Sequence, residues 1–407
     1  MDILKIAEGT YQLSVNVENI LFEGVWEMPE GVSLNTYIIK GEKTAIVDGF
    51  CGWDGVPDTL FELLGNMEID PAAVEYLIIN HMEPDHSGWI EEFRKINKDV
   101  KILCSEKARD LLNTFYGHTE NVTCVKDGDT LDLGKGHIIE FTTIPNVHWP
   151  DTIASFDHIT GVLFSCDAFG SFGKLTEKKY AEELTEEEME TYQRETIRYY
   201  SNILASFTMA VKKAVAKCKV FPVKIVAPGH GLMWRDADRI MTEYDQFADY
   251  QKGKAREEIT FIWSSMYGMT EKAVNHVKAL LEKESIKVHI HHVPNDSWGT
   301  ILTSAWTSTG IILAMPTYEY KMFPPMAATL EELGRKKVAG RKAFRFGSYG
   351  WSGGAQKELD EIMERLNMNW EFLEPVEFAG CPLEDDFNKI EEQVKELIRI
   401  VKATIND

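Results

Sequence analysis

The rhythm of hydrophobic and polar positions changes partway along the chain. Before about Gly253, short apolar runs alternate with polar residues or stand alone between turns. Thr10-Tyr11-Gln12-Leu13-Ser14-Val15 alternates, and residues 35–39 and 44–49 flank Gly41 as an expected hairpin. Further strands are expected at 76–79, 101–103, 137–144, 162–165 and 223–227, a helix at about 57–64, and a long amphipathic helical stretch at about 177–217. Strands interleaved with helices predict a sandwich of sheets flanked by helices. The polar stretch 251–258 reads as a linker. Beyond it, strands at 259–263, 287–292, 310–315, 342–347 and about 371–378 alternate with helical segments, and a helix at 385–404 closes the chain. This pattern predicts an open parallel sheet with helices on both faces, which binds ligands beyond its C-terminal strand ends. The expected domains are 1–253 and 254–407.

Candidate chemistry gathers at strand ends. The run His81-Met82-Glu83-Pro84-Asp85-His86 follows the apolar Tyr76-Leu77-Ile78-Ile79-Asn80 and places two imidazoles and two carboxylates within six residues. Neighbouring side chains on a loop point in different directions, so such a run can serve two metals. His148, Asp167 and His230 each follow a later apolar run. Four histidines and three carboxylates make a mixed nitrogen and oxygen set suited to iron or zinc. His289, His291 and His292 lie on a strand with alternating faces and no accompanying carboxylate run, and read as structural.

In the second half, the first strand runs into Ser264-Ser265-Met266-Tyr267-Gly268-Met269-Thr270 and then a helix. Hydroxyls and backbone amides at a helix N-terminus form a phosphate cradle. Neither Gly-x-Gly-x-x-Gly nor Gly-Lys-Ser/Thr is present, which disfavours a dinucleotide fold and an ATPase. Residues 265–270 resemble the flavodoxin phosphate loop, with Tyr267 where a smaller hydroxyl residue is more usual. Two further strand-end loops hold Pro316, Thr317, Tyr318 and Glu319, and Ser348, Tyr349, Gly350, Trp351, Ser352 and Gly353. In flavodoxins the corresponding loops flank the isoalloxazine ring, which implies FMN.

The His81–His86 run in turn resembles the metal signature of the metallo-β-lactamase fold, with Glu83 where the hydrolases of that fold usually have histidine. An anionic oxygen there hardens the site and better suits a metal that cycles between ferrous and ferric states. Together with the flavodoxin-like half, the order and identity of the ligands make the chain similar to flavodiiron proteins over essentially its whole length. The resemblance implies a two-domain α/β and α+β protein: an N-terminal metallo-β-lactamase-like αββα sandwich and a C-terminal flavodoxin-like doubly wound parallel sheet. It further implies two non-haem irons, with His81, Glu83 and His148 on one, Asp85, His86 and His230 on the other, and Asp167 bridging. It places Tyr199 or Tyr200 close to the metal pocket, with Trp149 and Phe169 as further candidate walls. The implied activity is reduction of dioxygen to water, of nitric oxide to nitrous oxide, or both. The implied assembly is a head-to-tail homodimer or a dimer of such dimers. Because the chain ends soon after its last helix, a separate electron donor is expected, a rubredoxin or a reduced deazaflavin coenzyme.

Composition narrows the remaining choices. A formal net charge of −22 argues against nucleic acid or anionic membrane as partner. No signal peptide or membrane-spanning run is evident, and six scattered cysteines without a Cys-x-x-Cys pair read as reduced thiols of a cytoplasmic protein. Two rival readings stand beside the oxidoreductase: a dizinc hydrolase fused to a flavodoxin-like module, and a flavin electron carrier with a decayed metal site.

Overall fold

Alternation in Thr10–Val17 continues for eight residues and pairs along its whole length with Val32–Lys40, whose residues are almost all buried. The computed structural model describes residues 2–50 and 59–406. It divides into two compact units, Met1–Gln246 and Phe247–Asp407. The sequence-level boundary after Gly253 thus falls inside the second unit.

The first unit holds a seven-stranded and a five-stranded sheet. The larger begins with antiparallel pairs and becomes parallel from Thr44–Val47 through Tyr76–Ile78 and Lys101–Cys104 to Val122–Cys124. The smaller runs from Thr130–Asp132 through Ile138–Thr143, Ile153–Asp157 and Val162–Cys166 to Ile225–Pro228. Their facing sides share one core: Tyr37, Ile39, Val47 and Ile78 of the larger sheet pack with Phe141, Ile153, Phe164 and Ala227 of the smaller. Helices Ile90–Ile96 and Glu106–Tyr116 follow strands of the larger sheet, and Thr208–Cys218 precedes the last strand of the smaller. Of the helix expected at 57–64, Leu60–Asn66 is seen, while Pro57 and Asp58 lie outside the described residues. The stretch read as one helix over 177–217 is broken. Glu186–Tyr199, capped by Thr185, gives way to a π-helical turn at Tyr200–Leu204, a short 3₁₀ turn, and only then Thr208–Cys218.

In the second unit, Arg256–Trp263 lies between Lys287–His292 and Ser308–Ala314, followed outward by Lys342–Tyr349 and then by Glu371–Phe372 and Val376–Ala379. All pairings are parallel, in the 2-1-3-4-5 order of flavodoxin-like sheets. Part of the expected linker belongs to this sheet, because Glu258 is buried and accepts from His289 at 2.7 Å. His291 meets Ser304 Oγ at 2.9 Å and His292 stacks on Trp263 at 3.9 Å, so the histidine cluster is tied into the fold. Arg341 is fully buried. Its guanidinium donates to the carbonyls of Ala305, Trp306 and Ala339, closing the C-terminal end of helix Trp298–Thr307.

Candidate metal centre and flavin cradle

The seven candidate ligands leave their strands from the same end of the two sheets of the first unit. His81–His86 follows Tyr76–Ile78, His148 follows Ile138–Thr143, Asp167 follows Val162–Cys166, and His230 follows Ile225–Pro228. All seven are buried. Their ligating atoms fall into two sets within 4.8 Å, His81, Glu83, His148 and Asp167 on one side and Asp85, His86 and His230 on the other.

Asp167 joins the sets, one oxygen to each. Its Oδ1 lies 2.9 Å from His86 Nε2 and 3.3 Å from His230 Nε2. Its Oδ2 lies 3.2 Å from His148 Nε2 and 3.4 Å from His81 Nε2. Glu83 Oε2 is 2.8 Å from His148 Nε2. Both oxygens of Asp85 and the Nε2 of His230 are buried without a hydrogen-bond partner, although His230 Nε2 and Asp85 Oδ2 are only 3.3 Å apart. No lysine or arginine pairs with Glu83, Asp85 or Asp167 among the described residues. Three buried carboxylates, unpartnered polar atoms and four imidazole nitrogens converging on them fit a pair of divalent cations.

Protonation of the bare site shows the same excess of negative charge. Burial disfavours the charged imidazoles, but Asp167 and Glu83 outweigh it and raise His148 to about 9. Burial likewise opposes charge on His230, and Asp167 and Asp85 lift it to about 10. Glu83 is pushed up by burial but held down to about 2 by His148 and His81. The histidine contribution to stability is therefore full below the ordinary value of 6.5 and is lost as pH rises through about 9 and 10. We expect chelated protein to melt at progressively lower temperature above neutral pH. Metal must displace those protons, so iron should bind more tightly as pH rises. Melting curves of chelated protein from pH 6 to 10 check the first expectation, and a flat profile would refute it.

A layer behind the ligands orients them. Asp151 Oδ2 lies 3.3 Å from His81 Nδ1 and accepts from the Met82 backbone N–H at 2.8 Å. His230 Nδ1 donates to the Ser33 carbonyl at 3.0 Å. Asn35 Nδ2 donates to the carbonyls of Pro228 and Gly231 on either side of His230. Asp48, raised to about 6 by burial, accepts from the Asn80 N–H at 2.7 Å and anchors the start of the ligand loop. Gly229 leaves room for His86, because a Cβ there would stand 2.7 Å from the imidazole Cε1. Sequence reading missed this layer. Its one local signal was Asp151, three residues after His148.

Of the pocket candidates, Trp149 has its ring 5.0 Å from that of His81, and Tyr199 lies 5.7 Å from His230. The Tyr199 hydroxyl is buried with no hydrogen-bond partner, and burial, then Asp167, Asp85 and Glu83, raise its pKa well above the ordinary phenol. Tyr200 and Phe169 instead pack against Tyr244, at 5.3 Å each.

In the second unit, a cavity of about 380 Å³ opens at the C-terminal strand ends. Ser265, Met266, Tyr267 and Met269 line it from the first loop, Pro316, Thr317, Tyr318 and Glu319 from the second, and Ser348, Tyr349, Gly350 and Trp351 from the third. Four residues placed in the site by sequence stand off the wall. Gly268, with φ +82°, caps the helix Met269–Leu281; Thr270 is buried and meets Ser348 Oγ at 2.8 Å; Ser352 and Gly353 continue the third loop. Gly380, at the end of the fifth strand position, lines the cavity and was missed. Two glycines are obligatory to the cradle: a Cβ at Gly347 would lie 1.8 Å from the Met315 carbonyl oxygen, and one at Gly354 2.1 Å from that of Tyr320. Tyr267 and Trp351 stand 88% and 78% exposed, offering ring faces at the cavity mouth. A helix N-terminus for a phosphate and aromatic-rimmed loops for a planar ring fit a flavin mononucleotide.

Residues 32–231 match the family model described as ODP family beta lactamase. The anaerobic nitric oxide reductase flavorubredoxin of Aliivibrio fischeri is 33% identical over 352 residues, 84% of this chain and 67% of that protein. The protein of the same name from Vibrio vulnificus is 32% identical, over 84% of this chain and 68% of its own length. Among solved structures, the rubredoxin oxygen:oxidoreductase of Desulfovibrio gigas superposes with a TM-score of 0.90 at 25% identity, covering 100% of both chains. A mutant flavo di-iron protein of Thermotoga maritima gives 0.88 at 28% identity, covering 98% of this chain and 99% of that one.

Proposed function

The chain belongs to the flavodiiron proteins, and from that membership we propose that it reduces dioxygen, nitric oxide or both at two non-haem irons supplied with electrons through FMN. The observation that carries this reading is the Asp167 carboxylate, turned with one oxygen toward each half of a buried seven-residue set. We assign His81, Glu83 and His148 to one iron, Asp85, His86 and His230 to the other, and Asp167 to both. Bound there, each iron supplies one electron and reduced flavin two, matching the four needed to take dioxygen to water and exceeding the two needed to couple a pair of nitric oxide molecules.

The chain's own residues prepare that chemistry. Asp151 and the Ser33 carbonyl engage the Nδ1 sides of His81 and His230, which turns the Nε2 atoms toward the metals. Glu83 supplies anionic oxygen where a hydrolase would supply neutral nitrogen. Tyr199 and Trp149 wall off water, and the raised pKa of Tyr199 keeps its hydroxyl proton available for donation at neutral pH. A dizinc hydrolase has no use for the cradle in the second unit, and a decayed carrier would not keep six buried candidate ligands around one carboxylate.

In the cradle, Ser265 Oγ accepts from the Gly268 N–H at 3.1 Å, and Thr270 holds Ser348 against the cavity. Replacing Ser265 and Thr270 together by alanine should weaken FMN binding about tenfold or more, a loss of one or two hydrogen bonds. Equal flavin affinity in fluorescence titrations would mean the cradle lies elsewhere.

Electrons are proposed to come from a separate rubredoxin-type donor or a reduced deazaflavin coenzyme. We place the protein in the cytoplasm; no helix among the described residues is long and apolar enough to cross a membrane. The proposed working unit is a head-to-tail homodimer, alone or as a dimer of dimers, in which the flavin of one subunit serves the irons of its partner. A monomer in sedimentation that turned over at full rate would refute this arrangement. Anaerobic stopped-flow tests the function itself: fully reduced protein is mixed with dioxygen or nitric oxide while flavin and iron reoxidation are followed. Rapid oxidation with water or nitrous oxide as product is expected. Slow oxidation by both gases would overturn the assignment.

A further inference from the structure

The strand Val162–Cys166 ends one residue before Asp167, and its last side chain is a buried free thiol that the chemistry above leaves unused. The Sγ of Cys166, a ring nitrogen of His86 and a carboxylate oxygen of Asp167 all lie within 4.8 Å of one another. Among the described residues no other cysteine belongs to such a group. Donors held at about 2.0–2.3 Å from one ion stand at most about 4.6 Å apart, so this spacing is close to that of a set sharing a metal.

Backbone fixes this neighbourhood. Cys166 has φ +50°, and its carbonyl accepts from the Gly229 N–H at 2.6 Å. His86 arrives on the short helix Pro84–Ser87, and glycine at 229 is what lets its ring come close. A Cβ there would stand 2.7 Å from the imidazole Cε1 and 3.4 Å from the Cys166 carbonyl oxygen. Asp85 sets its Oδ2 3.5 Å from His86 Nε2, and neither of its buried oxygens has a hydrogen-bond partner. An anionic fourth donor thus stands unpartnered at the edge of the set. The three residues share His86 and Asp167 with the proposed iron ligands but bring sulfur in place of Asp85 and His230. The other half of the centre, His81, Glu83 and His148 with Asp167, offers only nitrogen and oxygen. A thiolate is a soft donor that favours zinc and similar ions, and zinc already binds such sites more tightly than ferrous iron.

We propose that Cys166, His86 and Asp167 form a site for a thiophilic divalent cation of the zinc and cadmium class, and that filling it takes two ligands from the second iron and expels it. The expulsion, but not the sulfur site itself, rests on the reading of His86 and Asp167 as iron ligands. The thiol proton leaves to solvent as the sulfur–metal bond forms, and no electron is transferred.

Cadmium chloride tests this on the iron- and flavin-loaded protein carrying Cys381→Ser, which removes the one exposed thiol among the described residues. X-ray absorption at the cadmium edge reads the neighbours of the bound ion, and metal analysis reads the iron. One cadmium per chain is expected, with one sulfur and imidazole nitrogen around it, and one iron released per chain. Cys166→Ser should weaken cadmium binding about 100-fold or more, since loss of even a residue behind a ligand costs about 10–100-fold, and iron should then stay in place. Neighbours of nitrogen and oxygen alone, sulfur without imidazole, or equal affinity in Cys166→Ser would each overturn the site. The spectra of the Cys166 protein decide the matter even if Cys166→Ser does not fold. Iron that stays put beside a sulfur-bound cadmium would overturn the expulsion. Protein that carries no iron at the outset would overturn the diiron reading, while the sulfur and imidazole signals would still decide for or against the site.

Discussion

Asp167→Ala is expected to remove both irons together, from two per chain to nearly none, while the second unit keeps its FMN. The reason is geometric. One carboxylate oxygen faces His86 and His230, and the other faces His148 and His81. Among the described residues no other carboxylate pairs with histidines of both sets: Glu83 Oε2 reaches only His148 and His81, and Asp85 Oδ2 only His86 and His230. Loss of a residue behind a ligand costs about 10–100-fold in metal affinity, and loss of a ligand shared by two metals should cost more. Gas reduction should fall with the iron. Metal analysis, flavin absorbance and turnover on one preparation check all three expectations. A variant that retained iron and activity would remove Asp167 from the bridge and would require a different pairing of the six remaining ligands.

Gly347→Ala should damage the other half of the enzyme. Its Cβ would stand 1.8 Å from the Met315 carbonyl oxygen and 2.8 Å from the carbonyl carbon, and backbone cannot yield as a flexible side chain can. Met315 directly follows the strand Ser308–Ala314, and Gly347 lies near the end of Lys342–Tyr349. Two of the three loops lining the flavin cavity therefore leave the sheet where it tolerates no side chain. Forcing the strands apart there should cost about 3 kcal/mol. That corresponds to a melting temperature lowered by roughly 6–12 °C for a unit of this size. FMN should be lost as the loops separate. Calorimetry with and without added FMN reads both effects, and an unchanged melt with full flavin occupancy would show that the approach is looser than it looks.

The second unit was the more legible in sequence because its central strands, Arg256–Trp263, Ser308–Ala314 and Lys342–Tyr349, are largely buried and rich in apolar residues, and its edge strand Lys287–His292 is bounded by polar turns. Lys287–His292 has the bounds its pattern predicts, and Ser308–Ala314 differs by a residue or two. Ile153–Asp157 in the first unit went unread. It too is wholly buried, but Ser155 and Asp157 interrupt its apolar character. Ser155 donates to Asn80 Oδ1 at 2.8 Å, and Asp157 lies 2.8 Å from His137 Nδ1. Such partners lie far apart in sequence and leave no local trace. The same holds for the layer behind the metal ligands. The seven candidate ligand positions could be read because each lies beyond the end of an apolar strand. Ser33, Asn35 and Asp48 could not, because their roles exist only once the sheets have packed. Thr270 was read as a cavity residue from its place in the loop, yet the first turn of the helix turns it inward onto Ser348.

The π-helical turn at Tyr200–Leu204 takes up one more residue than an α-helical turn would. Written as genetics, it is one codon more than an α-helical turn would need. Deleting any one codon from that turn would restore α-helical spacing across it, ahead of the 3₁₀ turn that follows. Everything beyond would then rotate by about 100° relative to Tyr199. Val211, Ala214, Val215 and Cys218, now buried, would swing off the core, although no ligand had been touched. The residue count of this one turn thus decides which face the following helix gives to the core.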